Sequence, residues 1–136
     1  MEPITVETTI SAPKEKVWDV YTNPEHMTKW NHASDDWHSP KAQIDLRVGG
    51  VFNVRMEAKD GSAGFDFEGI YDEVIPNERI SYKMGDGRKV KILFTEADGR
   101  THVITTFDPE TENPAEMQRE GWQSILDNFK KYVESN

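Results

Sequence analysis

The sequence predicts an α+β fold: a curved antiparallel sheet of about seven strands around a long C-terminal helix, with two short helices after the first strand. Three observations carry this. The middle of the chain is a series of strand-like runs separated by tight-turn residues. Alternation along those runs gathers apolar and aromatic side chains on one face. The last segment carries a single apolar stripe at helical spacing.

Each element follows from local chemistry. Ile4, Val6, Thr8 and Ile10 alternate with Thr5, Glu7 and Thr9, which is strand periodicity. Ser11-Ala12-Pro13 starts a helix, because proline's missing N–H costs nothing in a first turn. Val17, Trp18 and Tyr21 form its inner stripe. Asn23-Pro24 ends that helix and caps a second, short one that runs to about Trp30, with Met27 and Trp30 inward. Asn31 to Pro40 reads as an irregular loop.

Gly49-Gly50, Asp60-Gly61, Pro76-Asn77, Asp86-Gly87 and Asp98-Gly99 supply positive or preset φ for five turns. They separate six strands at 41–48, 51–58, 64–75, 79–84, 89–96 and 101–107. Short connections make these antiparallel neighbours. Phe52, Val54 and Met56 share the apolar face with Phe65, Phe67, Gly69 and Tyr71. Ile80, Tyr82 and Met84 join them, as do Val90, Ile92 and Phe94. The first strand precedes both helices, so it pairs at the far edge and closes the sheet into a grip.

Asn113-Pro114-Ala115-Glu116 reads as a helix start, with Asn113 at the N-cap. From Pro114 to about Glu134 the helix is roughly 30 Å long at 1.5 Å per residue. Trp122, Ile125, Leu126, Phe129 and Val133 form its inner stripe, with Met117 a turn earlier.

Composition excludes several classes of function. The net charge of −9, with no Lys/Arg-rich run, repels a phosphate backbone, so no nucleic-acid partner is expected. The absence of cysteine removes disulfides, thiolate nucleophiles and thiolate metal sites. No apolar run reaches membrane-spanning length and no signal peptide is visible, so a cytoplasmic protein without membrane insertion is expected. Neither a cofactor nor a metal is expected, because no metal-ligand spacing or phosphate-binding loop appears.

Several short motifs occur in a specific order: Ile10-Ser11-Ala12-Pro13, Val17-Trp18, Asn23-Pro24-Glu25, Trp30, Asp45 to Gly50, Phe67-Glu68-Gly69-Ile70-Tyr71 and Gly121-Trp122. Together they resemble the SRPBCC superfamily of helix-grip, START-like domains. More closely, they resemble stand-alone homologues of the C-terminal domain of the activator of heat-shock protein 90 ATPase. The resemblance covers nearly the whole chain and implies one such domain over residues 1–136. It also implies a cavity between sheet and C-terminal helix, which in the superfamily holds hydrophobic molecules and in some members supports cyclase or hydrolase chemistry. The co-chaperone pairs this domain with a separate N-terminal one that has no counterpart in this sequence, so a chaperone partner is the weaker expectation.

The candidate lining of that cavity is an aromatic set: Trp18, Trp30, Phe52, Phe67, Tyr71, Tyr82 and Phe94, then Trp122 and Phe129 from the last helix. Met56, Met84 and Met117 add soft, adaptable surface. His32, Asp35 and Trp37 lie in the loop expected at the cavity mouth, where they are candidate polar contacts. The alternative for the aromatic and methionine residues is plain core filling, and for the loop a solvated turn. Arg47 is expected to pair with Asp45 or another carboxylate, His102 to be an exposed strand histidine, and Gln118 to be either a polar tip in the cavity or a surface residue.

Three functions follow as expectations. The first is binding of a small hydrophobic or amphipathic molecule in the cavity, with a homodimer possible. The second is a cyclase- or hydrolase-type enzyme, in which His32, Asp35, Asp36 or Tyr71 act as acid–base groups. The third is a co-chaperone or stress-related interaction domain.

Overall fold

The computed structural model describes residues 2–135. Chain order is β1 (Ile4–Ile10), α1 (Lys14–Thr22), α2 (Pro24–Trp30), β2 (Trp37–Ile44), β3 (Val51–Ala58) and β4 (Gly64–Ile75). There follow β5 (Arg79–Met84), β6 (Lys89–Ala97), β7 (Arg100–Phe107) and α3 (Ala115–Ser135). One seven-stranded sheet runs β1-β7-β6-β5-β4-β3-β2, antiparallel throughout. β1 pairs with β7 from Ile4↔Phe107 to Ile10↔Thr101, as the expected far-edge closure requires.

The turns use the residues that alternation left between strands. Asn77, Asp98, Gly49, Gly61, Gly87 and Gly99 all have positive φ, the conformation for which glycine and Asx residues are suited. Asn23 caps α2 by accepting from the Glu25 N–H at 3.0 Å, with Pro24 in the first turn.

The boundaries at β2 and α3 differ from the sequence reading. β2 spans Trp37–Ile44 rather than 41–48. Asp45 to Gly50 folds back on itself instead: the Arg47 Nε donates to both Asp45 carboxylate oxygens, and Gly50 N–H donates to Arg47 C=O at 2.8 Å. Pro40 is tolerated because β2 is an edge strand, and its register with β3 shifts between His38 and Lys41. At α3, Asn113 donates its backbone and side-chain N–H groups to Glu110 Oε1, and the helix begins at Ala115.

Gln118, left undecided by sequence, is buried, and it fastens the loop ahead of α3. Its Oε1 accepts from Glu110 N–H at 2.9 Å, and its Nε2 donates to the carbonyls of Glu110 and Asn113 at 3.0 and 2.8 Å. α3 also lies along the outer edge of β1. Arg119 donates to Thr5 C=O at 2.7 Å and Gln123 to Glu7 C=O at 3.2 Å. Those carbonyls have no strand partner on that side, so the helix covers an otherwise open edge.

The core lies between the concave sheet face and the three helices. Val54, Ile80, Val90, Ile92, Val103 and Phe107 from the strands meet Val17, Phe129 and Val133 from the helices, all buried. No described helix is long and apolar enough to cross a membrane.

Candidate functional site

The concave face and the helices enclose a cavity of about 270 Å³. β3 contributes Phe52, Val54 and Met56; β4 contributes Phe65, Phe67 and Tyr71; β5 contributes Ile80, Tyr82 and Met84. From the helical side come Tyr21 and Thr22 of α1, Met27 and Trp30 of α2, and Trp122, Ile125 and Leu126 of α3. Val6, Asn31, Arg88 and Thr105 complete the wall. Most of this surface is hydrocarbon or aromatic ring, with a few polar groups among them, the usual make-up of a small-molecule site.

Of the residues singled out from sequence, Trp30, Phe52, Met56, Phe67, Tyr71, Tyr82, Met84 and Trp122 border the cavity. Phe52 sits at the centre of the sheet wall, 5.7 Å from Phe67, 5.2 Å from Tyr71 and 4.7 Å from Tyr82 between ring centroids. Trp122 stacks on Phe107 at 4.2 Å with an interplanar angle of 11°.

The others do not reach it. Trp18, Phe94 and Phe129 stand behind the wall. Trp18 packs edge-on against Phe94 at 5.4 Å, and Tyr21 covers both Phe94 at 5.6 Å and Phe129 at 5.2 Å. They fill the core because Trp18 and Tyr21, both on α1, pack onto Phe94 and Phe129. Trp37 belongs to β2, not a loop, and approaches the cavity through Phe65, 6.0 Å away. Met117 is 59% exposed. At 100° per residue it falls off the stripe of Trp122, Ile125 and Phe129, and Gln118 takes the inward place four residues before Trp122.

His32 faces α3 rather than the cavity. Asn128 Nδ2 lies 3.1 Å from His32 Nε2 and also donates to Trp30 C=O at 2.7 Å. Because the amide nitrogen is a donor, Nε2 accepts and the proton of the neutral ring sits on Nδ1. That Nδ1 is buried and makes no hydrogen bond. Burial pushes the His32 pKa down, Lys59 pushes it further, Asp35 opposes, and His38 adds a smaller lowering.

The acid–base set of His32, Asp35, Asp36 and Tyr71 is not assembled. Asp35 and Asp36 are exposed, His32 faces Asn128, and Tyr71 alone lines the cavity. His102 lies on the outer sheet face, its Nδ1 2.8 Å from Thr9 Oγ1 and its Nε2 3.0 Å from Glu7 Oε1. No group of three or more His, Asp or Glu that could hold a metal occurs among the described residues.

Three of the polar groups on the wall are phenols. Burial raises the pKa of Tyr21, Tyr71 and Tyr82. Tyr71 adds to the effect at Tyr21, and Asp45 adds to it at Tyr71. At Tyr82, Tyr21 and Tyr71 add and Arg88 opposes. All three therefore stay neutral O–H groups at any physiological pH. Sequence reasoning placed Tyr21 inward but did not connect it to the pocket. Arg88 was missed altogether, because a turn arginine carries no periodicity that would aim it inward.

Comparison with known proteins completes the picture. None of the curated proteins matches the chain. An AHSA1-like protein from Aeromonas hydrophila, solved by NMR, is 47% identical over 98% of this chain and 92% of its own, with a TM-score of 0.92. A protein from Cytophaga hutchinsonii is 52% identical over 98% of this chain and 93% of its own, with a TM-score of 0.85. A Chromobacterium violaceum protein at 23% identity shares the fold, with a TM-score of 0.85 over 100% of both chains. Residues 11–134 match the family described as Activator of Hsp90 ATPase homolog 1-like protein. The chain belongs to that family, the one its ordered motifs resemble.

Proposed function

We propose that this protein binds a small hydrophobic or amphipathic molecule in the cavity between its sheet and helices. The observation that carries this reading is a space of about 270 Å³ walled by aromatic and aliphatic side chains from strands β3 to β5 and all three helices. A core built for stability alone packs to a density that leaves few voids larger than a water. Here large side chains surround open space instead. The partly exposed Phe65, Phe67, Trp122 and Ile125 mark where that space meets solvent. The acidic surface argues against nucleic acid, and the cavity argues for a small-molecule partner rather than a chaperone.

Thermal-shift measurements against a panel of small aromatic and medium-chain aliphatic compounds test the reading. A ligand present at about 100 times its Kd adds roughly 2.7 kcal/mol to stability. The expected result is a dose-dependent rise in Tm with one-to-one adducts in native mass spectrometry. A panel that moves Tm nowhere and yields no adduct rejects it.

A further inference from the structure

The cavity carries a polar corner with one chemical bias. Tyr71 on β4 and Tyr82 on β5 are cross-strand partners, their ring centroids 6.4 Å apart and nearly perpendicular at 88°. Each is 6% exposed. Tyr21 borders the same space from α1. The three hydroxyls make no protein hydrogen bond among the described residues, none is a fully buried unpartnered atom, and all three residues border the cavity. Arg88, from the β5–β6 turn, borders the cavity beside them. Its Nε is held by Asp86 Oδ2 at 2.7 Å, which leaves the terminal nitrogens as further donors.

We propose that this corner selects ligands bearing a carbonyl-type acceptor oxygen, a ketone or a carboxylate, on an apolar body of roughly ten non-hydrogen atoms, the size set by a cavity that would hold about nine water volumes. The proposal rests on the small-molecule reading above and narrows it. A phenol is a better donor than acceptor, because its lone pair is delocalised into the ring. The arginine only donates. This part of the wall is therefore biased towards donation, and an acceptor oxygen placed there finds unpartnered O–H donors. Hydrocarbon in the same place strands buried donors, the more costly outcome. Burial keeps the phenols protonated, so the bias holds across the physiological pH range.

Three probes of one shape test this: 2-acetylnaphthalene, 2-naphthoate and 2-ethylnaphthalene, titrated calorimetrically into the full chain. An acceptor probe is expected to bind about tenfold tighter than 2-ethylnaphthalene, the effect of one or two net hydrogen bonds. The Tyr71→Phe/Tyr82→Phe double variant is expected to lose that preference while its affinity for 2-ethylnaphthalene holds or rises. Arg88→Gln separates the sources: it weakens 2-naphthoate and spares 2-acetylnaphthalene if the charge contributes. Equal affinity of the wild-type protein for all three probes overturns the acceptor assignment and leaves the cavity reading intact. Failure of all three, together with a silent thermal-shift panel, removes the cavity reading and this inference with it. If the Phe variants fail to fold, the wild-type ranking of the probes decides alone.

Discussion

Gly69 is the residue at which sequence and cavity shape meet most directly. It pairs across strands with Phe52, and a Cβ placed on it would lie 2.8 Å from Phe52 Cε1 and 3.0 Å from Lys83 C=O. The missing side chain leaves room for the Phe52 ring against the strand, where it packs on both Tyr71 and Tyr82. Gly69→Ala is therefore expected to destabilise the protein by about 1–3 kcal/mol, the usual range for overpacking. It should also push Phe52 into the cavity. Denaturant unfolding and the affinity of any bound probe check both effects; an unchanged midpoint and unchanged affinity would show that the ring has room to move.

His32 gives a second test at this scale. Its pKa is held below the ordinary value near 6.5 mainly by burial. A base whose folded pKa is depressed binds fewer protons folded than unfolded. Its contribution is whole above about pH 6.5 and is lost progressively as pH falls below that value. Protonation would also set an Nε2–H against the Asn128 amide donor 3.1 Å away. His32→Asn is expected to flatten the fall in Tm between pH 7.5 and 5 relative to wild type. Parallel curves for the two proteins would show that His32 carries none of that dependence.

At the scale of elements, the loop before α3 is fixed by one side chain. Gln118 is buried, and its three hydrogen bonds tie the backbone of Glu110 and Asn113 to the first turn of α3. Gln118→Ala leaves those backbone groups without their partner and should cost roughly 1–3 kcal/mol. Hydrogen exchange over residues 108–118 is the direct measurement, with faster exchange there and little change in β3 to β6. Uniform acceleration across the sheet would instead mean that the loop and the core open together. The helix dependence on this residue was hidden in the sequence. Gln118 falls on the inner stripe by periodicity, but a glutamine there reads equally well as a polar intrusion into the pocket, and its carbonyl partners cannot be located without the fold. Met117 misled for the converse reason: it is apolar, and its neighbour holds the inward position.

For the whole molecule, alternation and turn chemistry made the sheet legible. Strand faces are written in short-range patterns, as in Phe52, Val54 and Met56 or Ile80, Tyr82 and Met84, and closure follows from having one strand ahead of the helices. The 41–48 strand was misplaced because Asp45-Leu46-Arg47-Val48 alternates as a strand does, while the Asp45–Arg47 ion pair and Gly49-Gly50 bend it. The cavity was legible as a region and less so as a list. An inward aromatic such as Phe94 lines a pocket or backs it depending on whether a second ring, here Tyr21, stands in front. That is a three-dimensional fact with no local signature.

The pairing of β1 with β7 sets the order in which this molecule can be assembled. Strands β2 to β7 each find a partner next to them in the chain, so hairpins can close locally and early. Ile4 must wait for Phe107, and the edge of β1 must wait longer still for Arg119 and Gln123. On the ribosome the first strand therefore leaves the tunnel long before its neighbour exists, and it spends that interval as an unpaired apolar segment. Its alternating Thr5, Glu7 and Thr9 keep one side of that waiting strand polar. The cavity, lined by Val6 of β1 and Leu126 of α3 among others, becomes an enclosed volume only when the two ends of the fold meet.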